Sequence, residues 1–165
     1  MVWRSPGLRW VLAIALVAWF SLTPLALAQD NTVDYTLTDL SFRDFSGQNL
    51  SGTSFAAAEM REANFTATDL SRTILTKASF LRANLSQADL SGTFADRVIF
   101  DQANLTEARF VDAILTSSSF REAQVNGADF SGAILDRYQI SQLCQTASGT
   151  NPITGVATRD SLGCR

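Results

Sequence analysis

"ANLSQADLSGTFADRVIFDQANLTEARF", Ala83–Phe110, is the stretch that decides the fold. A large apolar residue recurs at every fifth place: Leu85, Leu90, Phe100, Leu105, Phe110. One term is displaced. The place due at 95 holds Ala95, and a phenylalanine stands one residue early, at Phe94. From Leu40 to Ile140, 20 of the 21 residues at steps of five are large and apolar, so the spacing is a rule with one exception. Neither common element has this period. On an α-helix five residues advance about 500°, which scatters the apolar set around the axis. On a strand an odd step alternates faces. The chain must therefore turn once per repeat to bring each central residue back inside. That is a solenoid with short extended sides, a turn at each corner and four pentapeptides per coil.

Two further columns support the reading. Two places before each centre, from Ala58 to Ala133, stand 11 Ala, three Thr, Val98 and Ser118, small enough to point inward and let backbones approach. Two places after a centre stand Gly47, Gly52, Gly92, Gly127 and Gly132, where a corner needing positive φ favours glycine. Four repeats per coil place residue i+20 above residue i. Asn64, Asn84 and Asn104 then share a column, as do Ser46, Thr66, Ser86 and Thr106. Stacked polar side chains of this kind bond along the axis of stacked β structures. The expected fold is an all-β solenoid of about five coils, roughly 25 Å long at the spacing of paired strands.

Register now explains the displaced phenylalanine. Phe94 falls in an outward column with Ser54, Ile74, Ile114 and Ile134, and Ala95 falls in the inward column of Phe55, Leu75, Leu115 and Leu135. No bulge is needed, and the core is one large side chain short. The outward column is a contiguous apolar stripe on a surface that is otherwise mostly polar. Three readings stay open: cover by the chain's own N-terminal segment, scattered surface apolars, and a docking stripe for a protein partner or a second copy, with Ile74, Phe94, Ile114 and Ile134 as its residues.

The chain is 165 residues long with a formal charge of −3. Residues 1–28 read as a secretory signal: Arg4 and Arg9 without an acid, the apolar run "WVLAIALVAWF" and the small-x-small "ALA" at 26–28. Its removal takes away Arg4 and Arg9 and leaves −5, with no basic footprint for nucleic acid and no membrane segment in the mature form. Residues 29–37 are expected to form an N-terminal cap, with "QDNTVDYT" covering the first coil. The repeats run 38–140. A disulfide-closed C-terminal cap follows over 141–165, its helix drawn from "DRYQISQLCQTA" with Ile140, Leu143 and Cys144 toward the last coil. Thr158 is placed as the N-cap of a final turn. Cys144 and Cys164, in a chain bound for an oxidising space, are expected to pair. The bond reads as a staple for a marginal cap or, alternatively, as a thiol-redox switch.

Histidine is absent, which removes imidazole acid–base chemistry and histidine-based triads and zinc sites. Paired cysteines leave no thiolate nucleophile, and no glycine run resembles a phosphate loop. Asp69 and Asp89 stack with Arg109 above them, a weak cation site at most, since hard cations need several converging oxygens. Glu62 beneath Arg82, with Arg61 near, reads as surface ion pairing. No enzyme, cofactor, metal or small-molecule substrate is implied.

The segments "ANLSQADLSG" and "DQANLTEARF" resemble the pentapeptide-repeat family, whose pattern is A-(D/N)-L-x-x. The resemblance implies a right-handed quadrilateral β-helix. The tail "LCQTASGTNPITGVATRDSLGCR" is similar to the C-terminal signature of exported members from cyanobacteria and chloroplasts, found in the thylakoid lumen or periplasm. The expected role is a non-enzymatic protein-interaction module, with a redox-responsive regulator as the alternative. DNA mimicry against topoisomerases occurs on this fold, but export, a charge of only −5 and five coils disfavour it.

Overall fold

The computed structural model describes residues 33–165. The signal segment expected at 1–28 lies outside them. Every bridge of the solenoid is parallel and joins residue i to i+20, from Asp34↔Ser54 to Ile114↔Ile134. Each side is one bridge wide, so four sides make one coil. The ladder takes three bonds per repeat. Phe80 N–H donates to Ile99 O at 2.7 Å, Ile99 N–H to Ala78 O at 3.0 Å, and the corner amide of Arg97 to Thr116 O at 2.8 Å. Between sides the chain turns through an i to i+3 bond, as from Ala83 N–H to Phe80 O at 3.0 Å. Nearly all backbone polarity is thereby consumed within the coil stack, which lets so narrow a rod enclose a dry core.

Central residues fill that core in four stacks. Phe55, Met60, Phe65, Leu70 and their counterparts above are buried as far as Phe130, with Ala58, Ala78, Ala88 and Ala103 beside them, and Leu135 of the last coil is partly buried. The phenylalanines stack in register: Phe80 on Phe100 at 5.3 Å, Phe110 on Phe130 at 5.0 Å. Outside, aspartate or asparagine one place before a centre accepts the N–H that opens the next corner. Ser71 N–H to Asp69 and Ser91 N–H to Asp89 are examples, at 2.9 and 3.0 Å. This Asx bond is the local reason for the D/N of the repeat. The expected asparagine column is present, bridged Asn64↔Asn84↔Asn104, with Asn84 Nδ2 donating to Thr66 Oγ1 at 2.8 Å.

The corners demand more than the glycines implied. All five glycines have positive φ, but among the described residues so do 15 non-glycine residues, Ala57, Arg72, Arg97 and Ser117 among them. The left-handed conformation costs about 1–2 kcal/mol at a non-glycine residue. In most repeats it aims that residue's N–H at the next coil, and the ladder bond offsets the strain.

The displaced phenylalanine lies where the register puts it. Phe94 is 47% exposed and Ala95 is fully buried. The missing volume has a structural counterpart. Val98 replaces alanine in the small inward column and is buried with Ala95 in the same core. The turn between them is also opened. Turns above and below close directly, Ala78 N–H to Leu75 O and Ser118 N–H to Leu115 O at 2.8 and 3.2 Å. At 95–98 the Ser118 hydroxyl of the coil above stands in the gap, accepting from Val98 N–H at 2.9 Å and donating to Ala95 O at 2.6 Å. Ala95, Val98 and Ser118 thus form one connected arrangement.

Both ends differ from expectation. Among the described residues the ladder already includes Asp34, inside the segment expected as a cap, because Tyr35 occupies a central position and stacks on Phe55 at 5.1 Å. Thr38 is half-buried and Arg43 and Gln48 are exposed, as a first coil near water requires, but Thr53 is buried and its hydroxyl has no partner. At the far end α1, Arg137–Thr146, starts within the range assigned to repeats. Asp136 precedes it without a capping bond, since its carboxylate accepts Ser117 N–H at 2.8 Å. Leu143 is buried, while Ile140 and Cys144 are half-buried. The following loop covers part of the last coil through Gly127 N–H to Ser148 O at 2.8 Å and Asn151 Nδ2 to Gly127 O at 2.9 Å. The capping role given to Thr158 is corrected. Ala157 holds the N-cap position of α2, Thr158–Ser161, and Thr158 is its first helical residue, buried with an unpartnered hydroxyl. Cys144 and Cys164 are bonded and join α1 to the chain end beyond α2.

Candidate docking face

Ile74, Phe94, Ile114 and Ile134 bridge one another in register along one side. Ile74, Phe94 and Ile134 are 47, 47 and 55% exposed, and Ile114 is half-buried. The ladder fixes their spacing from both edges, so the stripe is a rigid row about 15 Å long. None of the four supplies an Asx bond to its corner. At the foot of the same column Asp34 does, accepting Thr36 N–H at 2.8 Å. The apolar residues therefore forgo a local stabilising contact. Among the described residues no segment covers the stripe, and Asp34 extends the ladder below it by its bridge to Ser54.

Polar residues frame the row on its two corners. On one stand Arg72 and Asp112, both exposed, with Gly92 and Gly132 between and beyond them. The Arg72 stem rests on Gly92, with Cγ 3.5 Å from where a Cβ would stand, and the Asp112 carboxylate lies over Gly132. On the other stand Lys77, Asp96 and Arg97. Asp96 pairs with Arg97 at 2.6 Å and accepts from Thr116 Oγ1 at 2.8 Å. The Arg97 bond, then the Thr116 bond, hold its carboxyl below the ordinary value. Arg72, Asp112 and Lys77 have no ion pair among the described residues.

Other polar clusters are internally committed. Arg109 binds Asp89 at 2.6 Å, so the column with Asp69 is closed from above by a guanidinium, although Arg109 Nε is buried without a partner. Arg82 pairs with Glu62 at 2.6 Å, whereas Arg61, expected near them, makes no ion pair among the described residues. Asp101 is buried beside Arg121 and Ser119. Burial pushes its pKa up, and the bonds from Ser119 and Arg121 outweigh that and hold it below the usual value. Asp129 behaves alike: burial raises it, and Ser131 and Thr154 bring it down.

Sequence reasoning missed Ile99, which is 43% exposed on the neighbouring side. Its place directly before Phe100 was the available signal. A concavity of about 240 Å³ between the last coil and α1, lined by Phe120, Arg121, Tyr138, Gln142 and Leu143, carried no sequence signal because it depends on where the helix docks.

The sequence profile of pentapeptide repeats matches residues 38–76, 63–102 and 99–137. The chain belongs to the pentapeptide-repeat family. Members of that family adopt a right-handed quadrilateral β-helix. The chain is similar to the crystal structure of a pentapeptide repeat protein from the Arabidopsis thaliana thylakoid lumen. Identity is 37%, the TM-score is 0.53, and the match covers 79% of this chain and 91% of that one. A pentapeptide repeat protein from Nostoc PCC 7120 is similar in fold, with 20% identity, a TM-score of 0.44 and coverage of 66 and 79%. No curated protein sequence matches the chain.

Proposed function

We propose that the protein is a non-enzymatic interaction module of the thylakoid lumen or periplasm. It presents the side bearing Ile74, Phe94, Ile114 and Ile134 to a protein partner. The observation that carries this reading is the apolar row itself, uncovered among the described residues, held rigid by backbone bonds and built from residues that give up the Asx contact. Export is supported by the lumenal relative and by the Cys144–Cys164 bond, since such bonds persist in oxidising compartments. The chemistry of the chain supports a non-catalytic role: no histidine, no free thiol among the described residues, and its buried carboxylates held by hydroxyl or guanidinium partners.

Capture from isolated lumen or periplasm, using the wild type and Ile114→Asp, tests the reading. The variant is expected to lose the captured protein while keeping its far-UV CD. Equal capture by a folded variant refutes docking on this side. A redox-responsive regulator is a second reading, favoured by one observation: both cysteines are only half-buried, within reach of a thiol reagent. Repeating the capture after reduction decides it, because an unchanged partner set rejects regulation through the bond.

A further inference from the structure

The geometry points to a second copy of this chain, packed antiparallel, as the occupant of the apolar side. The inference rests on the docking reading above and names its partner. The four apolar side chains expose roughly a few hundred Å², a patch of the size that marks interaction sites. That is below the approximately 800 Å² per partner of a standard interface. The contact is therefore small and reversible, and charge must set its register.

The charges on the framing corner are self-complementary under one symmetry. A two-fold axis lying in the plane of the face, across the solenoid axis, reverses the order of coils and keeps each corner on its own edge. Let it pass between the coils of Phe94 and Ile114. Phe94 of one copy then meets Ile114 of the other, and Ile74 meets Ile134, so all four apolar residues overlap. The same operation exchanges the gap between the coils of Arg72 and Gly92, into which the Arg72 stem leans, with the gap between the coils of Asp112 and Gly132, into which the Asp112 carboxylate leans. Arg72 of each copy thereby meets Asp112 of the other, giving two reciprocal pairs from two side chains that have no ion pair among the described residues. The parallel alternative, with the axis along the solenoid, sets Arg72 of one copy against Lys77 of the other at the same level. Like charges at an interface select against it.

Sedimentation velocity from about 5 to about 500 μM tests the assignment, a range suited to a contact below standard size. Wild type, Phe94→Asp, Arg72→Asp, Asp112→Arg and the double swap Arg72→Asp/Asp112→Arg are compared, each checked by CD and for the intact disulfide. Because the substituted residues are surface ones, the fold is expected to survive. The wild type is expected to dimerise reversibly, and Phe94→Asp to stay monomeric. Each single charge change is expected to weaken association about tenfold, from two lost pairs and the new repulsion. The swap should recover to within about threefold, and added salt should weaken the wild-type dimer. A wild type monomeric throughout overturns the proposal, as does a dimer indifferent to Phe94→Asp or a swap no better than the worse single variant. A monomer that still loses a captured protein through Ile114→Asp overturns the second copy alone and leaves the docking reading standing.

Discussion

Ser118→Ala tests whether the turn at Ala95–Val98 is held open by the coil above. In the native protein the hydroxyl accepts from Val98 N–H at 2.9 Å and donates to Ala95 O at 2.6 Å. Both backbone groups are buried and have no direct bond to each other. Removing the oxygen leaves a donor and an acceptor without partners, at about 1–3 kcal/mol for each unmet group. Partial closure of the turn, toward the direct bond seen at Leu75–Ala78, recovers some of this. The expected net loss is about 2 kcal/mol. The assay is urea unfolding with the disulfide intact, together with hydrogen exchange at the Val98 amide. A repeat protein need not unfold in one step, so the local readout guards against a misleading global midpoint. Exchange at Val98 should accelerate, while the Ala78 amide, in the equivalent turn one coil below, should change little. A loss under about 0.5 kcal/mol with Val98 exchange unchanged would refute the bridging role, since it falls below the cost of even one unmet group.

Three other outcomes follow from the structure. Thr53 is buried with an unpartnered hydroxyl, so Thr53→Val should raise stability by about 1 kcal/mol in the same urea assay, by relief of an unmet polar group. The folded-state carboxyls of Asp101 and Asp129 lie below the ordinary aspartate value, because the bonds from Ser119 and Arg121 and from Ser131 and Thr154 outweigh the effect of burial. Their contribution is present above the unfolded value and is lost as pH falls below about 3.8 through the lower folded values; the urea midpoint should be flat from pH 7 to about 5 and drop below about 4. Replacing both Cys144 and Cys164 by serine should cost about 3 kcal/mol, for a closed loop of this length, and loosen α1 first in hydrogen exchange.

Much of this architecture was legible because a period of five has one economical solution. The centres, the small inward column and the i+20 stacking all follow from where side chains must point, and Phe94 and Ala95 were assigned to opposite faces on that basis alone. The N-terminal start was misplaced because Tyr35 is aromatic but lies outside the run from Leu40. Thr158 has the chemistry of a cap, and only the burial of its side chain shows why it does not serve as one. The part played by Ser118 was invisible as well: its column could be read, but not that its hydroxyl replaces a turn bond one coil below. For the candidate face, the sequence revealed the apolar row, while the unpaired charges beside it needed coordinates. Arg72 and Asp112 are 40 positions apart, and their relation to a two-fold axis depends on side chains leaning over Gly92 and Gly132.

Photocrosslinking from position 94 tests the docking claim most directly. A benzoylphenylalanine replaces Phe94 in one sample and Asn84, outward on another side, in a second, and both are irradiated in lumen or periplasmic extract. The account predicts a discrete adduct from position 94, either a dimer of this chain or a conjugate with one other protein, and none from position 84. Equal adducts from both positions, or none from position 94 in a folded protein, would contradict it.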